Sequence, residues 1–219
     1  MERRELLKMI ALATGSAVIG GEFLLSGCKN ENAGSGLTFS EDDIAFLDEL
    51  AETILPKTNT PGAKDAQVGK YMAVMVTDCY EAPDQQIFKA GIQKLNEESK
   101  KMFDTNFLKL SLQQKTQLLI QIDSSCKAFN KKVDDEYDAL SAEERHKLSL
   151  EEHTTNKNYK KEKLRQNPYR FYTMMKQLTL SGFFTSEVGA TKALRYIAVP
   201  GKFDGCAPYT KGEKAWATS

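Results

Sequence analysis

The strongest constraint on this 219-residue chain is a succession of apolar stripes at helical spacing, each opened by a capping residue or proline and closed by a breaker. Ser40 starts the first, with Asp43 three residues on as a capping-box variant and Ile44, Leu47, Ala51 and Ile54 along one face. Pro56 ends it. The connector LPKTNTPGAKDA turns at Pro61-Gly62, and Asp65 is expected to cap a second helix with Val68, Met72, Met75 and Cys79 buried. Pro83 suits the first turn of a third helix, whose stripe is Ile87, Gly91, Leu95 and Met102. Ser111 and Gln114 form another capping box, leading Leu118, Leu119, Ile122, Cys126 and Phe129 inward. Short connectors predict antiparallel packing of these four helices. Pro168 opens a further helix with Phe171, Met174, Met175 and Leu178 inward and Gly182 as its stop. The expected fold is all-α, a compact helical bundle.

With 41% apolar residues, a chain of this length can bury one sizeable core, and one compact domain over residues 39–219 is expected. Thirty basic and thirty acidic residues cancel, so no global field recruits nucleic acid. Between Lys131 and Gln166 the composition shifts to Lys/Glu clusters with few large apolar residues, and a solvated excursion is expected over 131–166.

After the last helix the chain becomes an irregular aromatic and glycine-rich C-terminal tail. Phe183, Phe184, Tyr196, Phe203, Tyr209 and Trp216 alternate with Gly182, Gly189, Gly201, Gly205 and Gly212, which places large apolar area on a backbone free to turn. Such a tail either packs over the helices or presents a contact surface. No polar constellation accompanies it, so docking is the expectation, with Phe183, Phe184, Tyr209 and Trp216 as aromatic anchors.

The N-terminus reads as an address over residues 1–27. Arg3 and Arg4 precede Leu6, Leu7 and Lys8, then the apolar run MIALATGSAVIGG, which is too short and glycine-broken for a membrane span. The basic pair resembles a twin-arginine export signal, with Leu6 standing where phenylalanine is usual. Leu25-Ser26-Gly27-Cys28 resembles a bacterial lipobox, in which Cys28 would be lipidated; the alternative is an ordinary signal peptide with a chance cysteine. Residues 28–38 form a polar linker that would let the domain stand off a membrane. A protein so addressed is exported folded and held at a membrane facing the periplasm.

Chemistry in the chain itself finds little support. His146 and His153 are a heptad apart within the charged excursion, whereas a helical metal pair needs spacing near four. No Ser or Cys nucleophile sits in a recognisable turn, the carboxylate runs read as solvated faces, and dinucleotide and haem-attachment patterns are absent. Four cysteines are widely spaced. With Cys28 lipidated, Cys79, Cys126 and Cys206 allow at most one bridge, Cys79 with Cys206, or all three remain reduced in the core.

In chain order, Ile54-Leu55-Pro56, the Pro61-Gly62-Ala63 turn with Asp65 and Val68, the Leu178-Thr179 to Ser186 stretch, and Val199-Pro200-Gly201 before Gly205-Cys206 resemble the gluconate 2-dehydrogenase subunit 3 family. The resemblance spans about Phe39 to Trp216. It implies a noncatalytic small subunit with no cofactor of its own. Its partner would be a large FAD-dependent flavoprotein of the glucose-methanol-choline type, with a cytochrome subunit carrying haem c as a further partner. The small subunit would act in assembly and carry the flavoprotein through the twin-arginine route. The competing expectations are a stand-alone structural lipoprotein and a self-sufficient periplasmic enzyme.

Overall fold

The computed structural model describes residues 37–155, 158–199, 201, 205–206, 208 and 210–217, with the backbone alone at 153–155. The chain divides between Leu37 and Thr38, and every described helix belongs to the second unit. The export signal at Arg3, Arg4, Leu6, Leu7 and Lys8, and the lipidation residue Cys28, lie outside the described residues, as does Tyr209.

The second unit is all-α. Helix α1 runs Glu41–Ile54, and Ser40 and Asp43 close the capping box reciprocally, each side chain accepting from the other's backbone N–H. Lys89 reaches back to this end, donating to the Asp43 carboxylate at 2.5 Å and to the Thr38 carbonyl at 3.0 Å. A 3₁₀ turn, Lys64–Ala66, then leads to α2, Val68–Cys79. Asp65 does not cap α2. The residue at that boundary is Gln67, in left-handed conformation at φ 52°, while the Asp65 carboxylate accepts from Gly62 N–H instead. Helix α2 buries Val68, Gly69, Met72 and Val76, while Cys79, on the same face but at the last position of the helix, is exposed.

Helix α3, Ala82–Phe103, has Pro83 in its first turn and buries Phe88, Gly91, Ile92 and Leu95. Its partner α4, Leu112–Asp138, opens with the Ser111–Gln114 capping box and buries Leu118, Leu119, Ile122, Cys126 and Val133. It therefore keeps a buried residue inside the charged stretch expected to leave the core. Helix α5, Ala142–Thr155, buries none of its described side chains, and α6, Tyr159–Arg165, returns to pack on α4.

Helix α7, Arg170–Thr185, is the centre of the unit. It packs against α1, α2, α3 and α4 and buries Phe171, Tyr172, Met174, Met175, Leu178, Thr179, Gly182 and Phe183, one broad face covering about half its circumference. Gly182 is not its stop. It sits within the helix, where an added Cβ would lie 2.5 Å from the Tyr71 ring of α2, and its missing side chain lets the two helices approach. Gly91 of α3 does the same for Phe171: a Cβ there would collide with that side chain. Among the described residues no helix is long and apolar enough to cross a membrane.

Candidate docking face

The end of α7 separates two neighbouring aromatics. Phe183 turns inward and is 4% exposed, so this member of the expected docking set belongs to the core. Phe184 meets it edge-on at 5.1 Å and is 40% exposed, one helical turn beyond the exposed Leu180. Ser186 then stops the helix, its hydroxyl donating to the Phe183 carbonyl at 2.6 Å and accepting from Gly189 N–H at 3.0 Å. A π-helical turn, Gly189–Ala193, reverses the chain towards the tail.

The tail is held by a clasp. Arg195 N–H donates to the Ala215 carbonyl at 2.8 Å, and Ala217 N–H to the Arg195 carbonyl at 2.7 Å, a parallel bridge pairing Arg195 with Trp216. The Arg195 guanidinium lies over the Trp216 ring at 4.3 Å and pairs with Glu213 at 3.3 Å, while Lys214 donates to the Lys192 carbonyl. Trp216 is thus engaged within its own chain, although it stays 46% exposed. Immediately after Arg195 come exposed Tyr196, Ile197 and Val199, the last 81% exposed. Sequence reasoning singled out the aromatics but not Arg195; its position 21 residues before a tryptophan carries no local signal of pairing.

The gluconate 2-dehydrogenase subunit 3 description matches residues 41–201. The chain belongs to the gluconate 2-dehydrogenase subunit 3 family. No curated protein and no solved structure matches it. The family's name marks this subunit 3 chain as one subunit of a gluconate 2-dehydrogenase-like complex. The matched span takes in α1 through Gly201 and stops before Cys206, Tyr209 and the Glu213–Trp216 half of the clasp.

The connector that carried the resemblance is built by carboxylates of α1. Asp48 accepts from Gly69 N–H at 2.7 Å, and Glu52 from the N–H groups of Lys57 and Lys64 at 2.8 and 2.9 Å, so donors of the connector and of the first turn of α2 are satisfied by one helix face. Glu49 pairs with Lys64 and, at 2.7 Å, with the buried Lys115 of α4. Burial alone would raise the Glu49 carboxyl, but hydrogen bonds from Lys115 and Lys64 outweigh it and hold the group below its ordinary value. This is a structural strut of subunit 3.

The charged middle holds a second strut. Arg165 of α6 makes a two-pronged pair with Asp84 at 3.1 and 2.8 Å and also engages Glu81 and Glu162, while Lys161 reaches Glu81. The hydrogen bonds it donates to Asp84 and Glu81 raise the guanidinium pKa further, so it is charged at every accessible pH. His146 lies on exposed α5, and the His153 side chain is outside the described residues. Among the described residues no group of three His, Cys, Asp or Glu side chains is arranged to hold a metal ion. Cys79 is a free exposed thiol, so the expected bridge to Cys206 is not formed; the clasp, not a disulfide, fastens the tail. Cys126 is buried, its sulfur 2.9 Å from the Thr173 hydroxyl.

Proposed function

We propose that the chain is the noncatalytic small subunit of a periplasmic, FAD-dependent, gluconate 2-dehydrogenase-like complex and the export escort of its flavoprotein. The observation that carries the reading is the family match over residues 41–201. The paired Arg3-Arg4 before Leu6, Leu7 and Lys8 supports the twin-arginine route, and the Leu25-Ser26-Gly27-Cys28 run supports a lipid anchor on Cys28 that holds the assembly at a membrane. FAD belongs to the large subunit, of glucose-methanol-choline type, and haem c to a cytochrome subunit that takes the electrons onward. The exposed Leu180 and Phe184 on α7 and Tyr196, Ile197 and Val199 after Arg195 are the residues that meet the flavoprotein.

The test is affinity capture of tagged subunit from detergent extracts, with wild type and an Arg3→Lys, Arg4→Lys double variant side by side. Wild type should bring down a yellow large subunit from the periplasmic membrane fraction. The double variant should leave both proteins in the cytoplasm. Export of the flavoprotein despite the double substitution would overturn the escort role, and dehydrogenase activity from the purified subunit alone would overturn the noncatalytic one.

A further inference from the structure

We infer that the first half of α4 is a second docking surface, on which a helix of a partner subunit lies. The inference rests on the reading of this chain as one subunit of a complex. From Leu112 to Ser125 every exposed residue is uncharged: Leu112, Gln113, Thr116, Gln117, Ile120, Gln121, Ser124 and Ser125. The lysine in this stretch, Lys115, is buried against Glu49, and Asp123 is held by Lys127 and Lys176. The same helix changes character one turn later, where Lys127, Lys131, Lys132, Asp135 and Glu136 are all exposed. In a chain with 27% charged residues, a solvent-facing strip of more than three turns without a charge matches the charge depletion of subunit interfaces.

The relief of the strip fits a helix. Leu112, Thr116, Ile120 and Ser124 follow one another four residues apart, so they form a single ridge that alternates large and small. Leu112 and Ile120 are each 62% exposed. The Thr116 hydroxyl donates to the Leu112 carbonyl and the Ser124 hydroxyl to the Ile120 carbonyl, both at 2.9 Å, which spends their polarity on α4 itself. A ridge of this kind interdigitates with the groove of another helix. Beside it, between α3 and α4, runs a groove of about 250 Å³ bounded by Met102, Leu118, Gln121 and Ser125, with Lys101 and Glu98 paired at 3.0 Å on its lip. It offers a hole for one partner side chain.

Area selects the occupant. The strip is about 20 Å long at the helical rise, and a single helix face of that length falls well short of the ~800 Å² per partner of a stable dimer. It serves as one part of a larger, heterologous contact rather than as a stand-alone interface between two copies of this chain. The occupant is a helix with an uncharged, apolar face belonging to the flavin subunit.

Charge placed on the ridge tests this. Full-length subunit carrying Leu112→Glu with Ile120→Lys, and a control with Lys131→Glu on the charged half, are compared with wild type in capture of the flavin subunit. Both sites are open to solvent, and circular dichroism confirms the fold of each variant. The ridge variant should weaken capture by about tenfold or more and the control should match wild type. Undiminished capture by a folded ridge variant overturns the inference while leaving the complex intact. Failure of wild type itself to capture any flavin subunit removes the reading beneath it. Wild-type dimerisation abolished by the ridge variant overturns the choice of occupant.

Discussion

At the scale of single residues, two sites decide how tightly the unit closes. Gly91 admits Phe171 against the α3 backbone, and alanine there sets a gain in helix propensity of about 1 kcal/mol against overpacking of about 1–3 kcal/mol. Overpacking wins because the collision is with the root of an aromatic side chain that cannot swing away. Gly91→Ala should lower Tm by about 2–8 °C in thermal unfolding followed by circular dichroism. Glu49 holds buried Lys115, and its carboxyl is depressed when folded, so its contribution is complete above the unfolded value of 4.5 and is lost as pH falls through the lower folded value. Glu49→Gln should cost about 1–3 kcal/mol in urea unfolding at pH 7, and the gap to wild type should close as the pH is taken well below 4.5. A gap that widens in acid would contradict the assignment. Asp43 and Asp123 are depressed in the same direction through their lysines, so the variant keeps part of the acid sensitivity.

At the scale of elements, local chemistry was legible and register was not. Ser40 with Asp43 and Ser111 with Gln114 announce helix starts because each box is complete within four residues. The inward face of α7 at Phe171, Met174, Met175 and Leu178 follows from spacing alone. On α2 spacing finds Val68 and Met72 but not the exposure of Cys79, because the position where the helix leaves its neighbours is not written in its period. Gly182 has the residue type that ends helices; a tyrosine from another helix requires it within α7 instead. The tail was legible as exposed aromatic chain, whereas its clasp depends on a pairing across about 20 residues. Two backbone hydrogen bonds at about 1 kcal/mol each and an exposed cation–π contact at about 0.5–1 kcal/mol meet a loop-closure cost of about 2–3 kcal/mol. The clasp is therefore nearly balanced and opens readily. Trp216→Ala should speed tryptic cutting at Lys202 and Lys211 several-fold and leave Tm unchanged. A clear fall in Tm would make Trp216 part of the core.

At the scale of the whole molecule, the charged middle is two things. Its beginning and end, the last turns of α4 and the Arg165 hub of α6, are bound into the unit, and α5 alone is the solvated excursion that composition announced. Composition could not divide them, since Arg165 differs from its charged neighbours only in finding Asp84, a residue 81 positions away. The candidate surfaces share this limit. An exposed leucine at 112 and isoleucine at 120 become a ridge only once the buried face of α4 is known.

The exposed helix α5 has a colloidal consequence. Thirty basic and thirty acidic residues leave no net repulsion to keep copies of the chain apart. What remains is local hydration by interspersed charge of both signs, which α5 carries with none of its described side chains buried. The helix contributes hydrated surface and little to the core, and with no net charge on the chain such local hydration is the counterweight to self-association near neutral pH.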